Sequence, residues 1–297
     1  WDIWLDYATS SVISALRRDA IDGVQSVQVD VQHPDEISTL FDPSIVYAKG
    51  SRLLRMLEAH IGEEALRSGL RTYFEAHAYT NTEAQDLWAA LSAASGKDVG
   101  ALMQAWITQP GYPLVSVSKK GSELSLSQKQ FFVGPHAASS RTWPIPLHST
   151  SDQLPALMDQ SSLKLGYAAP SAPRLNAETT AHFIAQYDSA IFEQHIKDFA
   201  SFSAVDRLTF IQDQILLSQA GEQSTAQLIP LIKNLNEEPS EAVWTSISIA
   251  SNELKRFVDN DEVAEKQLRS LVRALTQYHY DRLGWDASTE ESENDTK

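Results

Sequence analysis

The chain has 297 residues, 42% of them hydrophobic, 9% aromatic and 21% charged, the mixture of a soluble globular protein of about two or three domains rather than a disordered one. Against 24 basic residues stand 39 acidic ones, a formal charge of −15 with no Lys/Arg cluster to interrupt it, so the summed field repels nucleic acid and anionic lipid surfaces. Cysteine is absent, which excludes disulfides, thiolate nucleophiles and cysteine-ligated metals and suits a reducing cytosol, and no run approaches the roughly 18 apolar residues that span a bilayer.

Trp1, Trp4, Leu5, Ala8, Val12, Leu16 and Ala20 recur at three- and four-residue steps, which predicts a core-facing helix that Gly23 ends. The chain opens at Trp1 inside this pattern, so its natural amino terminus is expected upstream. After the polar stretch from Gln25 to His33, Asp42-Pro43 reads as an N-cap with proline in the first helical position, predicting a helix through His60 that Gly62 closes. Leu66, Leu70, Tyr73, Phe74 and His77 form a third helical stripe. Thr82 with Gln85 has the form of a capping box, Gly96 of a C-cap, and Asp98 of the cap of a further helix that Pro110-Gly111 terminates.

From Tyr112 the period changes to two. Leu114-Ser116-Ser118, the turn Lys119-Lys120-Gly121-Ser122 and Glu123 to Ser127 predict a hairpin, and short strands follow at Trp143–Leu147, Ser162–Leu165 and His182–Ala185. Beyond Asp188 the helical period returns, through Ile191, Leu208, Ile211 and Ile215 to Val243–Phe257 and Val263–Leu283. Asp286 to Lys297, with five acidic residues, reads as a solvated loop or frayed end.

Local motifs for chemistry are scarce. The eight histidines include no pair at i, i+4, and HExxH, GxSxG, the Walker loop and GxGxxG are all missing. No metal-ligating or nucleotide-binding residues are assigned, and composition and periodicity stop at a soluble three-part chain.

Two stretches carry more. Phe41-Asp42-Pro43-Ser44-Ile45-Val46-Tyr47-Ala48-Lys49-Gly50, running on through Leu54-Arg55-Met56-Leu57, resembles the aminopeptidase N family segment in which a tyrosine and a Lys-Gly pair precede a Leu-Arg-Met-Leu helix. Asn81 to Trp88, Ser95 to Asp98 and Met103 through Trp106-Ile107-Thr108-Gln109-Pro110-Gly111-Tyr112-Pro113 resemble that family's closing catalytic helices and its entry into a β-sandwich. The likeness, closest to the bacterial cytosolic branch, implies an α+β, mainly α fold. Its parts would be a helical remnant of a thermolysin-like catalytic domain (residues 1–112), a small β-sandwich (113–188) and the beginning of an α-helical domain (189–297). It also implies a cytoplasmic zinc aminopeptidase acting on peptides, whose zinc ligands and general base lie upstream of Trp1. Both ends then look cut, the missing amino-terminal catalytic half is the implied partner, and the chain alone is expected to bind no zinc and to be inert.

Tyr47 is the one catalytic residue the resemblance supplies, as the hydrogen-bond donor to the oxyanion of the reaction. On pattern alone it would be a half-buried packing residue. Lys49, Arg52 and Arg55 are expected to be solvated or paired with carboxylates, His33 and Glu36 to be solvated loop residues, Gly50 to permit close helix packing, and Trp88 and Trp106 to fill the core. The rival reading is a non-catalytic helical scaffold or adaptor.

Overall fold

The computed structural model describes residues 2–284; Trp1 and residues 285–297, which include the acidic segment from Asp286 to Lys297, lie outside the described residues. The fold is α+β and mainly helical, and the described residues fall into two compact units, residues 11–188 and residues 2–10 with 189–284.

The first apolar stripe is helical but not continuous. Helix α1 (Ile3–Tyr7) widens into a π-helical turn over Ala8–Val12 before α2 (Ile13–Asp19). The Thr9 and Ser10 hydroxyls donate to the Asp6 carbonyl at 2.9 and 2.7 Å, a back-bonding that bends helices. A short 3-10 turn (Pro34–Glu36) and α3 (Ile37–Leu40) follow. Asp42 caps as expected, its Oδ1 accepting the Ser44 N–H at 2.9 Å. What it caps is a second π-helical turn, Ser44–Lys49, which runs into α4 (Gly50–Ile61). Gly62, at φ 92°, closes α4.

Helix α5 (Glu63–Ala76) buries only Gly69, and Phe74 stays 66% exposed, so the stripe predicted there is mostly half-covered. The reason is a close crossing. A Cβ on Gly69 would stand 2.8 Å from Leu91 Cδ2 of α6 (Ala84–Ser95), so contact is made through the glycine. Helix α6 starts one residue later than the Thr82 box implied, with the Glu83 N–H donating to Asp86 at 2.9 Å, while the Thr82 hydroxyl meets that of Tyr73. Asp98 caps α7 (Val99–Thr108), accepting from the Ala101 N–H at 2.9 Å.

Strands β1 (Pro113–Lys120) and β2 (Glu123–Gln130) form the predicted hairpin around Gly121-Ser122. Strands β3 (Ile145–Pro146) and β4 (Leu157–Met158) make a two-stranded ribbon, and β5 (Ser162–Gly166) and β6 (Ile184–Tyr187) complete a four-stranded sheet of order β5-β2-β1-β6. The β6 strand lies parallel to β1, Leu114 opposite Ile184, which makes the sheet mixed. Val115, Val117, Leu124 and Leu126 are buried on one face, and Ser116, Ser118, Ser125 and Ser127 alternate to the other. Trp106 of α7 is fully buried, 6.0 Å ring to ring from Trp143, and donates to the Pro144 carbonyl at 2.8 Å, so this helix is fastened to the strands. Trp88 is only half-buried.

In the other unit, α8 (Ser189–Asp198) and α9 (Ala204–Gln219) enclose a cluster of Phe192, Phe199, Phe202 and Phe210. Helices α10 (Leu228–Ile232), α11 (Glu241–Val258) and α12 (Glu262–Leu283) follow, the last two capped by Ser240 and Asp261. Arg207 of α9 holds Glu238 through two bonds of 2.7 and 2.8 Å, a fork geometry that satisfies both nearly buried partners.

Candidate active site

Tyr47 sits in the π-helical turn between Asp42 and α4 and is 66% exposed, so the half-buried packing role read from the pattern does not hold. Its ring meets Phe41 edge-on at 5.5 Å, and its hydroxyl makes no hydrogen bond among the described residues. Single π-turns recur at functional sites because the extra residue re-aims a side chain that an α-helix would turn elsewhere.

Beneath this turn lies a cluster that sequence reasoning missed. Lys49 and Asp19 are fully buried, Nζ to Oδ2 at 2.9 Å. The same ammonium donates to the carbonyls of Gly111 at 3.1 Å and Gln109 at 3.3 Å. Asp19 Oδ1 accepts the Gly111 N–H at 2.9 Å, and its Oδ2 lies 3.0 Å from His182 Nε2. On the far side of the imidazole, Arg52 Nε donates to Nδ1 at 2.8 Å, which assigns the remaining proton to Nε2 and makes the ring a neutral donor to Asp19. Arg52 also donates to the Ala181 carbonyl and to Thr179. Lys49 therefore meets one of the two fates expected of it, and both Lys49 and Arg52 are buried. Lys49 is carboxylate-paired, while Arg52 is held by an imidazole, a hydroxyl and a carbonyl. Arg55 also takes a carbonyl, that of Glu178 at 3.2 Å.

The electrostatics follow from the burial. Desolvation would push the Asp19 carboxyl up, but Lys49 and His182 outweigh it and hold it below its ordinary value. Burial pushes His182 down to about 3, with Asp19 opposing and Arg52 and Lys49 assisting, so the ring is uncharged at neutral pH. Two cations and one anion share this interior, stable only because every polar atom named has a partner. Removing one member of such a set costs about 3–5 kcal/mol.

The remaining candidates carry no chemistry. His33 and Glu36 form the cap of the short 3-10 turn, Glu36 accepting from the Gln32 N–H at 3.0 Å; His33 is exposed and Glu36 half-buried. Gly50 makes no close approach: a Cβ there would meet only the Ile45 carbonyl oxygen, at 4.0 Å. Zinc finds no fit, since no three His, Asp or Glu side chains group as ligands among the described residues. A cleft of about 640 Å³ between α11 and α12, lined by Trp244, Ile247, Leu268 and Val272, does not include Tyr47. No helix among the described residues is long and apolar enough to cross a membrane.

Residues 1–106 match the peptidase family M1 domain and residues 174–297 the ERAP1-like C-terminal domain. Aminopeptidase N of Lactococcus lactis subsp. lactis is 43% identical over 99% of the chain and 36% of its own length. Aminopeptidase N of Lactobacillus helveticus is 37% identical over 100% of the chain and 36% of its own length. The tricorn protease-interacting factor F2 of Thermoplasma acidophilum is 34% identical over 84% of the chain and 31% of its own length. The chain thus spans about a third of the length of the curated relatives it matches. Two domain matches in the expected order, with likeness along the chain to the two aminopeptidases N, place the chain in the M1 aminopeptidase N family.

Proposed function

We propose that the chain is part of a cytoplasmic, zinc-dependent aminopeptidase that removes amino-terminal residues from peptides, and that Tyr47 is its transition-state hydrogen-bond donor. Attack of water on the scissile carbonyl concentrates negative charge on the former carbonyl oxygen, and a neutral phenol placed beside it stabilises that charge more than the ground-state dipole. The observation that carries the reading is the exposed, unbonded Tyr47 hydroxyl on a buttressed π-turn inside the M1-matching segment. The domain partition 1–112, 113–188 and 189–297 belongs to the same proposal. So does a division of labour in which metal ligands, general base and substrate-amine site come from an amino-terminal catalytic half, leaving this chain inert by itself.

The test is Tyr47→Phe in the full-length peptidase. The substitution keeps the ring and removes the donor, so kcat should fall on the order of 10²–10³-fold, about 2.7–4 kcal/mol, as for loss of one oxyanion donor. KM should change much less. Thermal stability should hold, because the side chain is largely solvent-exposed. A variant with wild-type kcat would remove Tyr47 from the chemistry.

A further inference from the structure

Helix α2 touches the π-turn that bears Tyr47 at three places. Ser14 Oγ lies 2.9 Å from Ser44 Oγ, Arg18 Nε binds Asp42 Oδ2 at 2.5 Å, and Asp19 Oδ2 binds Lys49 Nζ at 2.9 Å. Ser14 and Arg18 are one helical turn apart and Asp19 follows directly, so one helix grips the turn at its cap, its first residue and its last. Tyr47 stands between the gripped ends. Its ring touches Phe41 edge-on and is otherwise largely exposed, so side-chain packing does little to orient it and the backbone of the turn decides where the phenol points.

A π-turn holds one residue more than the α-helix would, and it persists only where surrounding contacts over-determine it. Relaxation to α-helix would advance the residues on one side by one position, about 100° around the axis. The deepest restraint against that slip is the Asp19–Lys49 pair. Both side chains are fully buried, and the ammonium is further fixed by the Gln109 and Gly111 carbonyls.

We propose that Asp19 is a positioning residue of the peptidase, acting through Lys49 to hold the wide turn in the register that aims the Tyr47 phenol. The inference rests on the assignment of Tyr47 above. Asp19 touches neither substrate nor the reacting atoms, and its effect must pass through the tyrosine.

A double-mutant cycle in the full-length holoenzyme, assayed on leucine p-nitroanilide, tests it. Asp19→Asn should lower kcat by about 10²-fold, the scale of a misplacement near 1 Å, with little change in KM. In a Tyr47→Phe background the same substitution should lower kcat by less than about twofold, since there is no donor left to misplace. An equal fold-loss in both backgrounds, or no loss beside an intact Tyr47, overturns the positioning role. Should Tyr47→Phe itself leave kcat unchanged, the assignment of Tyr47 fails and that single variant reports it separately. If Asp19→Asn does not fold, Lys49→Gln serves, because its amide can still donate a hydrogen bond while the ion pair that holds the turn is gone. It should give a loss of kcat that likewise vanishes in the Tyr47→Phe background, and a loss of equal size in both backgrounds refutes the proposal.

Discussion

Lowering the pH should loosen the unit of residues 11–188 through His182, and the size of the effect follows from its surroundings. Unfolded, the imidazole titrates near 6.5; folded, burial holds it down to about 3. Between those values the unfolded chain binds a proton that the native chain does not, so stability is fully present above about 6.5 and drains as the pH falls towards 3. The slope is about 1.4 kcal/mol per pH unit. The Asp19 carboxyl, held below its ordinary 3.8, loses its own contribution only at still lower pH, so the window from 7 to 4 leaves it out. His60, pushed down to about 4 chiefly by burial and then by Lys97 and His148, adds to the same slope but does so equally in a His182 variant. His182→Gln keeps an amide that can donate to Asp19 and does not titrate. It should be less stable than wild type at pH 7, and the gap should narrow by roughly 3 kcal/mol by pH 4. Urea denaturation at pH 7, 6, 5 and 4, followed by near-ultraviolet circular dichroism to which the buried Trp106–Trp143 pair contributes, measures that gap. A gap of constant size across the range would mean that His182 is protonated alike in both states, and the neutral-ring assignment would fall.

Gly111→Ala should destabilise the same unit by roughly 2–4 kcal/mol, from a left-handed backbone and an overpacked contact together. The glycine lies at φ 85°, and a Cβ would come within 2.2 Å of Gln130 Nε2. Thermal denaturation checks it, and a melting temperature equal to wild type would show that the Gly111 turn relaxes freely. The chain on its own should retain no stoichiometric zinc after dialysis, because about three ligands in fixed geometry are needed and the described residues bring none together. Metal analysis finding one tightly held zinc per chain would overturn that expectation.

The sequence made the punctuation of the fold legible. Asp42, Asp98, Gly62 and Gly121 act where their chemistry places them, because caps and turns are set by a few neighbouring residues. The parallel pairing of β6 with β1 was not legible, since its register is set by packing across some 70 residues and leaves no local trace. Nor did periodicity announce the two π-turns, as one inserted residue barely disturbs a 3.6-residue stripe. The buried cluster did leave a mark. Ile45, Lys49, Arg52 and Met56 fall on one helical stripe, and Asp19 follows Leu16 by three, so charged residues occupied positions where a core was expected. Solvation is the ordinary fate of such side chains, and only the pairing partner distant in sequence reverses it. Tyr47 needed family likeness to be singled out, since an exposed aromatic on a helix has no spacing of its own.

The span of the buried cluster bears on how the protein assembles during synthesis. Asp19 and His182 are 163 residues apart, so at about 5–20 residues per second the ring leaves the ribosome roughly 8–30 s after the carboxylate it will meet. Over that interval Asp19 has Lys49 within reach as a partner, while the imidazole that joins Asp19 to Arg52 has not yet been made. Closing so long a loop comes with the docking of β6 beside β1, late in a high-contact-order step. The full set of partners of Asp19 therefore exists only once His182, just ahead of β6, has been made.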